Sequence, residues 1–151
     1  MGAPATSALR AETQHRLEHE VGRLIRRVRR VIHQRATAVH PELQASSYLL
    51  LSYLSQAGPV RSSALVDELG VDKGAVSRQV QHLAEPGLAE RRPDPADGRA
   101  TLVSATPDAI ARLDVVAAER RARLAERLGD WSDDDLAAFA DGLARYNAAL
   151  G

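Results

Sequence analysis

The stretch from Val60 to Thr106 constrains the fold more than any other part of the sequence. It contains two short segments with a helical spacing of apolar residues, separated by Gly70 and Val71, and then two segments typical of strands. The tip between these strands, residues 93–99, is rich in proline, aspartate and glycine, which favours a turn. Two short helices followed by a hairpin with a charged tip are typical of a winged helix-turn-helix.

The first of these helices is short and amphipathic. We expect it to begin at Ser62 or Ser63, whose hydroxyl can cap it, and to end at Gly70. Its apolar residues share one face: Leu65, Val66 and Leu69. The turn through Val71 leads to Asp72, which can accept a hydrogen bond from the first amides of the next helix.

The second helix carries Val76, Val80 and Leu83 at spacings of four and three, which predicts one buried face. We expect Pro86 and Gly87 to end it. Its opposite face and flanks carry small residues and hydrogen-bond donors, the mixture that a helix needs to read a DNA groove. The candidate DNA contacts here and at the start of the preceding helix are Ser62, Lys73, Gly74, Ala75, Ser77, Arg78 and Gln81.

Two strands, over Leu88–Arg92 and Ala100–Ala105, are expected to form a wing with residues 93–99 as its tip. Arg99 places a long cation on this projecting tip, which suits a narrow minor groove. Asp97, two residues earlier, can orient Arg99 through a charge-assisted pair. We therefore expect Arg99 to contact DNA with the help of Asp97.

The composition limits the remaining possibilities. The chain of 151 residues has the length of one domain, and 26% charged residues exclude a membrane span. It contains no cysteine, which excludes disulfides, thiolate metal sites and thiol redox switches. Residues 1–12 lack the apolar core of a signal peptide, so we expect a soluble, cytoplasmic protein.

The net charge is zero, but the charges are unevenly distributed. Residues 1–35 carry eight arginines and three glutamates, whereas residues 105–151 carry six basic and nine acidic residues. Residues 60–104 carry six basic and seven acidic residues, so the predicted DNA-binding part is not basic in sum. Attraction to phosphates must therefore depend on where single cations lie, and it should be moderate. These cations are Lys73, Arg78, Arg91, Arg92 and Arg99.

The N-terminal part is predicted to be helical. An apolar stripe over Leu17–Ile32 indicates a long first helix, with most of the arginines off the stripe. A second helix is expected over Ala45–Gln56, ending at Gly58 and Pro59. Its apolar contacts are expected to be Tyr48, Leu49, Leu51 and Leu54.

The C-terminal part predicts two more helices. Thr106 can cap a helix that has Pro107 in its first turn and runs to about Leu128. Ser132 and Asp135 form a capping-box-like start for the last helix. Its apolar residues run down one face: Leu136, Phe139, Ala140, Leu143, Tyr146 and Leu150.

Together these patterns predict one domain over residues 1–151 with a mainly α (α+β) fold. Dimerisation helices over 10–40 and 106–150 flank a winged-helix unit over 45–105. The terminal helices differ in charge and lack a neighbour long enough to cover their apolar faces, so we expect them to pack together and with a second copy. A homodimer would also place two recognition helices on a near-palindrome, about ten base pairs apart. A monomeric helix bundle is the alternative.

Nearly the whole chain resembles the MarR family of bacterial transcriptional regulators. The resemblance covers the segment GVDKGAVSRQVQHLAEPGL, the lead-in Arg91–Pro95, the tip Asp97–Arg99 and the segment LVSAT at 102–106. It implies that the second helix of the motif enters the major groove, that a wing arginine enters the minor groove, and that an aspartate steadies this arginine. In this sequence these roles fall to Ser77 with Arg78, to Arg99 and to Asp97.

Two departures from the family pattern concern the recognition helix and the tip. Gly74 and Ala75 stand where the family often has small hydroxylated residues, and Gly98 stands where it often has a second arginine. Gly74 can instead allow a phosphate to approach the backbone at the helix N-terminus. An unchanged affinity for DNA in Gly74→Ala would contradict this hypothesis.

The resemblance also implies a small-molecule effector, often an aromatic acid, bound between the dimerisation helices and the winged-helix unit. A guanidinium or an imidazole can hold the carboxylate of such a ligand. The candidate ligand-binding residues are Arg26, Arg30, His33, His40 and Tyr48.

Three other functional classes have weaker support in the sequence. A metal-responsive regulator could use His15 and His19, four residues apart with Glu18 between them, but no third histidine follows nearby, and we expect neither a metal site nor a cofactor. An enzyme is not expected, because the sequence has no phosphate-binding glycine loop, GxSxG elbow or HExxH pair. A winged helix that only binds other proteins is the stronger alternative, because residues 60–104 are not basic in sum.

Overall fold

The computed structural model describes residues 3–151, with side chains and burial described from Ser7 onward. These residues are mainly helical, with six helices and a small three-stranded antiparallel sheet, which confirms the predicted fold class. In chain order, the elements are α1 (Ala3–Val39), α2 (Ala45–Ala57), β1 (Val60–Arg61), α3 (Ser62–Leu69), α4 (Lys73–Ala84), β2 (Ala89–Asp94), β3 (Asp97–Ala105), α5 (Pro107–Arg127) and α6 (Asp133–Leu150).

The chain divides within α5 into two compact units, one ending at Leu113 and one spanning Asp114–Gly151. The prediction of a single domain over 1–151 therefore stays a prediction. None of the helices in residues 3–151 is long and apolar enough to cross a membrane.

The core of the first unit is built around α2. Leu50, Leu51 and Leu54 of this helix are almost completely buried, together with side chains from the helices and strands that follow. The expected contact of Leu49 is wrong, because this side chain is 50% exposed. Ser47, Leu50, Leu51 and Leu54 are buried at positions i, i+3, i+4 and i+7, so they form one helical face and Leu49 lies outside it.

The α3–α4 segment follows the predicted pattern except at its first cap. The N-cap of α3 is Arg61, with no side-chain hydrogen bond, and the hydroxyl of Ser62 donates to the carbonyl of Thr101 at 3.3 Å instead. The predicted serine cap is therefore wrong. Gly70 ends α3 at φ +62°, a left-handed conformation that favours glycine. Asp72 Oδ1 accepts a hydrogen bond from the amide of Ala75 at 2.8 Å, which confirms the predicted cap of α4.

The sheet has the strand order β1-β3-β2, so the wing strands β2 and β3 are joined by a third strand that the sequence did not predict. β1 contains only two residues, too few to show the alternation by which strands are recognised. The wing strands also extend further than expected, to Asp94 and from Asp97, so the turn is Pro95 and Ala96 rather than residues 93–99. Arg99 consequently lies on β3 and not in the turn.

The helical segments outside the winged-helix unit have mostly exposed apolar faces. In the predicted α1 stripe, Leu24, Ile25 and Val28 are 43–48% exposed and Val31 and Ile32 are half-buried, whereas Ala36 and Val39, which follow the stripe, are buried. The predicted long first helix is confirmed by α1, which spans Ala3–Val39.

In the second unit, the capping box at the start of α6 is confirmed. Ser132 Oγ accepts from the amide of Asp135 at 3.1 Å, and the carboxylate of Asp135 accepts from the amide of Ser132 at 3.1 Å. Trp131 and Phe139 pack edge to face with ring centroids 5.8 Å apart. All of α6 is at least partly exposed to solvent.

Candidate nucleic-acid interface

The recognition helix α4 has one buried and one exposed face. Val76, Val80 and Leu83 are at most 2% exposed, which confirms the predicted inner face. The outer face carries five of the residues named as DNA contacts, all exposed: Lys73, Gly74, Ser77, Arg78 and Gln81. Ala75 is half-buried. The structure therefore holds α4 by its apolar face and presents its polar face to solvent.

A cleft of about 840 Å³ lies between α3, α4 and the wing. Its lining includes four cationic side chains, from Arg61, Lys73, Arg91 and Arg99, and two carboxylates, from Asp67 and Asp97. Of the predicted DNA contacts, this cleft brings together Ser62, Lys73, Ser77 and Arg99. The lining of the cleft therefore carries more cationic than acidic side chains, although residues 60–104 as a whole do not.

A shallower cavity of about 350 Å³ lies along the second half of α4. It is lined by Ser77, Arg78, Gln81, His82 and Glu85. The predicted contacts on α4 thus form one continuous surface that runs from the cleft along the helix.

The two glycine departures have different structural settings. A Cβ on Gly74 would lie 3.0 Å from Asp72 Oδ1 and 3.4 Å from Arg78 Nη1, so glycine leaves room for the carboxylate that caps α4. A Cβ on Gly98 would meet nothing within 4 Å, so a side chain at this position of the wing would extend into open space.

Asp97 contacts Arg99 differently from the prediction. Its Oδ1 accepts a hydrogen bond from the backbone amide of Arg99 at 3.1 Å. The ion pairs found in residues 3–151 do not include the guanidinium of Arg99, so the expected charge-assisted pair is not formed. Asp97 therefore orders the backbone of the tip and leaves the exposed side chain of Arg99 available.

The side chains of Gln81 and Arg91 are hydrogen-bonded to each other. Arg91 donates to Gln81 Oε1 and to the backbone carbonyl of Ser77, both at 3.2 Å, while Gln81 Nε2 donates to Glu85 at 3.1 Å. Both ends of the Gln81 amide are thus occupied, and Arg91 connects β2 to α4. These bonds fix the orientation of the Gln81 amide and leave one N–H and one oxygen lone pair for a base contact.

The structure also contains a pair that the sequence did not predict. Arg61 Nε and Nη2 lie 2.7 and 2.6 Å from Asp94 Oδ2, and Asp94 Oδ1 accepts from the amide of Ala96 at 2.9 Å. The hydrogen bond from Ala96, and next the one from Arg61, hold the pKa of the Asp94 carboxyl below its usual value. Arg61 and Asp94 are 33 residues apart in the sequence, so no local pattern could have revealed this pair.

Comparisons with known proteins agree with this geometry. The sequence profile of the MarR family matches residues 42–100, which include α3, α4 and most of the wing. The uncharacterised HTH-type transcriptional regulator YxaD of Bacillus subtilis is 32% identical over 134 residues, 89% of this chain and 92% of YxaD. The chain belongs to the MarR family.

Solved structures of MarR-family fold support the same architecture. The MarR family transcription regulator SP03579 has a TM-score of 0.80 at 21% identity, covering 96% of this chain and 97% of that one. Streptococcus pneumoniae FabT, crystallised in complex with DNA, has a TM-score of 0.79 at 17% identity, covering 91% and 96%. These likenesses concern the fold, whereas membership in the MarR family identifies the protein as a DNA-binding transcriptional regulator and not an enzyme.

The residues proposed for an effector of this MarR-family protein are not gathered in one of the three cavities described. Arg26, Arg30 and His33 are exposed on α1, and Tyr48 is only 9% exposed. His40 lines a third cavity of about 400 Å³, where its Nδ1 accepts from the amide of Glu42 at 3.3 Å. These five residues therefore stay a prediction.

The metal-responsive alternative gains no support from the structure. His15, Glu18 and His19 are exposed on α1. Across residues 3–151, no three histidine, aspartate or glutamate side chains are grouped so that they could hold a metal ion.

Proposed function

We propose that this MarR-family protein is a homodimeric repressor that acts in the cytoplasm on a near-palindromic operator. The observation that carries the proposal is the cleft with a mainly cationic lining beside the exposed face of α4. Lys73, Ser77 and Arg99 all line this cleft, so one groove-binding helix and one wing cation can engage the same duplex.

In this proposal, α4 enters the major groove and the wing lies over the adjacent minor groove. Arg78 and Ser77 contact base edges, whereas Arg99 enters the minor groove. Lys73, Gly74 and Ser62 lie where the helix N-termini meet the phosphate backbone. The similarity to FabT, whose structure was determined with DNA, supports this arrangement.

The homodimer is supported by two exposed apolar faces. Leu24, Ile25 and Val28 on α1 and Phe139 and Leu143 on α6 are 40–57% exposed. Contiguous apolar faces of this kind mark interaction surfaces in soluble proteins. Two copies related by a two-fold axis would place two α4 helices about one helical turn of DNA apart, and a dimer bound at a promoter would obstruct polymerase.

The experiment is fluorescence anisotropy of a labelled duplex taken from the upstream region of the protein's own gene. We expect binding that survives competitor DNA and weakens as salt rises. Arg99→Ala should weaken binding to all sequences, whereas Arg78→Ala should also relax the preference at one base pair by about 1–3 kcal/mol. Arg145→Ala is the matched control, because Arg145 is exposed on α6, away from the apolar face of that helix.

Two results would contradict the proposal. If both α4 and wing variants bound like the parent, the assigned contacts would be wrong. If the parent showed no sequence-selective binding, a winged helix that binds only proteins would be favoured. We also propose that a small aromatic acid releases the protein from DNA, and benzoate added to the preformed complex tests this effector class. Release that requires Arg30 and His33 supports it, and no release contradicts it.

A further inference from the structure

We infer that Arg61 and Asp94 are positioning residues that hold the wing in the orientation in which Arg99 meets DNA. This inference rests on the proposed contact between Arg99 and DNA. It assigns a role to an arginine that lines the DNA-facing cleft but whose guanidinium is committed to another residue of the protein.

Arg61 and Asp94 lie at the ends of the two outer strands of the sheet. β1 and β2 are the outer strands, and β3, which carries Arg99, lies between them. Arg61 is the last residue of β1, and Asp94 is the last residue of β2. The Arg61–Asp94 ion pair therefore links the two outer strands across the central strand.

Beyond this ion pair, the wing is held by few strand pairings. β1 pairs with β3 only at Val103 and Leu102, so the rest of the wing is a two-stranded ribbon. Its register shifts between Pro93 and Asp94, and such ribbons have little stability of their own. A contact that connects the end of β2 to the first strand restricts the directions in which this ribbon can point.

The Asp94 carboxylate is buried and makes contacts through both of its oxygens. The Asp94 side chain is 9% exposed, and both of its oxygens are used: Oδ2 by Arg61 and Oδ1 by the amide of Ala96 in the turn. One carboxylate thus fixes the turn and ties it to the start of α3, which Arg61 directly precedes. The backbone amide of Arg99 donates a hydrogen bond to Asp97, and its side chain is exposed. The position of the Arg99 guanidinium therefore depends on the position of the wing.

For the removal of the Asp94 charge, this positioning role predicts the opposite change in DNA affinity from the one that charge alone predicts. Removing a negative charge from a DNA-binding surface should strengthen binding to phosphates. Asp94→Asn should instead weaken it, by about 5-fold, because the wing must then be ordered when DNA binds. The matched control is Asp67→Asn, which removes an exposed carboxylate that lines the same cleft. We expect Asp67→Asn to bind DNA as tightly as the parent or more tightly.

The salt dependence separates positioning from direct contact. We expect Arg61→Gln to weaken binding by about as much as Asp94→Asn while leaving the slope of log K against log salt as in the parent, because no phosphate contact is lost. Arg99→Gln should weaken binding and, if its guanidinium neutralises a phosphate, reduce the slope by about 0.9. A slope for Arg61→Gln reduced like that of a lost phosphate contact would overturn the inference.

Two further variants separate these effects from misfolding. The reversed pair, Arg61→Asp with Asp94→Arg, should bind DNA more tightly than either single variant, and Arg61→Lys should retain part of the parent affinity. Amide exchange without DNA should be faster at Ala96 and Arg99 in Asp94→Asn, with the exchange of α4 unchanged. Unchanged wing exchange, or Asp94→Asn binding as tightly as the parent, would overturn the inference. An Arg99→Gln variant that binds like the parent would overturn the proposed function instead.

Discussion

The recognition helix α4 and the C-terminal helix α6 have similar amphipathic sequences but different surroundings. Both begin with a side-chain cap, at Asp72 and at Ser132. α4 buries its apolar face against α2, α3 and β2, whereas the apolar face of α6 stays exposed, with Phe139 at 57% and Leu143 at 40%. Periodicity therefore predicts which face of a helix is apolar, and only tertiary structure shows what covers it.

The difference indicates two sources of stability in one chain. The face of α4 is stabilised by contacts within the first unit, so it should depend on folding alone. The face of α6 should gain its stabilisation from the second copy that we propose, so it should depend on protein concentration.

Truncation of the α4 core should have the largest effect. Leu83 is completely buried, so Leu83→Ala should lower the free energy of unfolding by about 2–5 kcal/mol through lost burial and the cavity that remains. Leu150→Ala on α6 is the control, because Leu150 is 67% exposed in the single chain, and at protein concentrations below the Kd of the proposed homodimer its effect should stay within about 0.5 kcal/mol. Urea unfolding followed by circular dichroism measures both. Equal losses would mean that the two helices do not differ in the way described.

The comparison also shows which features the sequence could predict. Those set by residues close in the chain were correct, including the end of α3 at Gly70, the cap at Asp72 and the inner face of α4. Local backbone chemistry decides such features, and it is visible in a short window of sequence. The serine cap of α3 failed because the hydroxyl of Ser62 finds a partner on β3 instead.

Features that join distant segments could not be predicted. β1 exists only because β3 pairs with it, and Asp94 meets Arg61 only because the sheet brings them together. The same applies to the DNA-facing surface: its residues were predicted, but the bond between Arg91 and Gln81 joins two elements whose relative position the sequence does not show. The structure was therefore needed to show which cations of this surface hold parts of the protein together.

Disruption of the α6 face should have an intermediate effect that appears in assembly. Leu143→Asp places a charge on the exposed apolar face, so we expect the Kd of the proposed homodimer to rise about 10- to 100-fold, or about 1.4–2.8 kcal/mol. Sedimentation equilibrium over a range of protein concentrations measures this Kd. Arg145→Asp, on the opposite side of α6, should leave it within about 2-fold. A parent that is monomeric at all concentrations would contradict the dimer.

Removal of the α6 cap should have the smallest effect on the free energy of unfolding, and the pH dependence of this effect should show its cause. Ser132→Ala should cost about 1 kcal/mol at neutral pH through loss of the side-chain hydrogen bond to Asp135. The hydroxyl and the amide of Ser132 lower the pKa of the Asp135 carboxyl, so this contribution is present above the unfolded pKa and is lost as pH falls through the lower, folded pKa. Thermal unfolding at falling pH should therefore show the gap between the parent and Ser132→Ala narrowing at the acid end without closing, because the amide of Asp135 still donates to Ser132 Oγ in the parent. Asp134→Asn, outside the capping box, is the control, and a gap that stays constant with pH would show that the carboxylate contributes nothing.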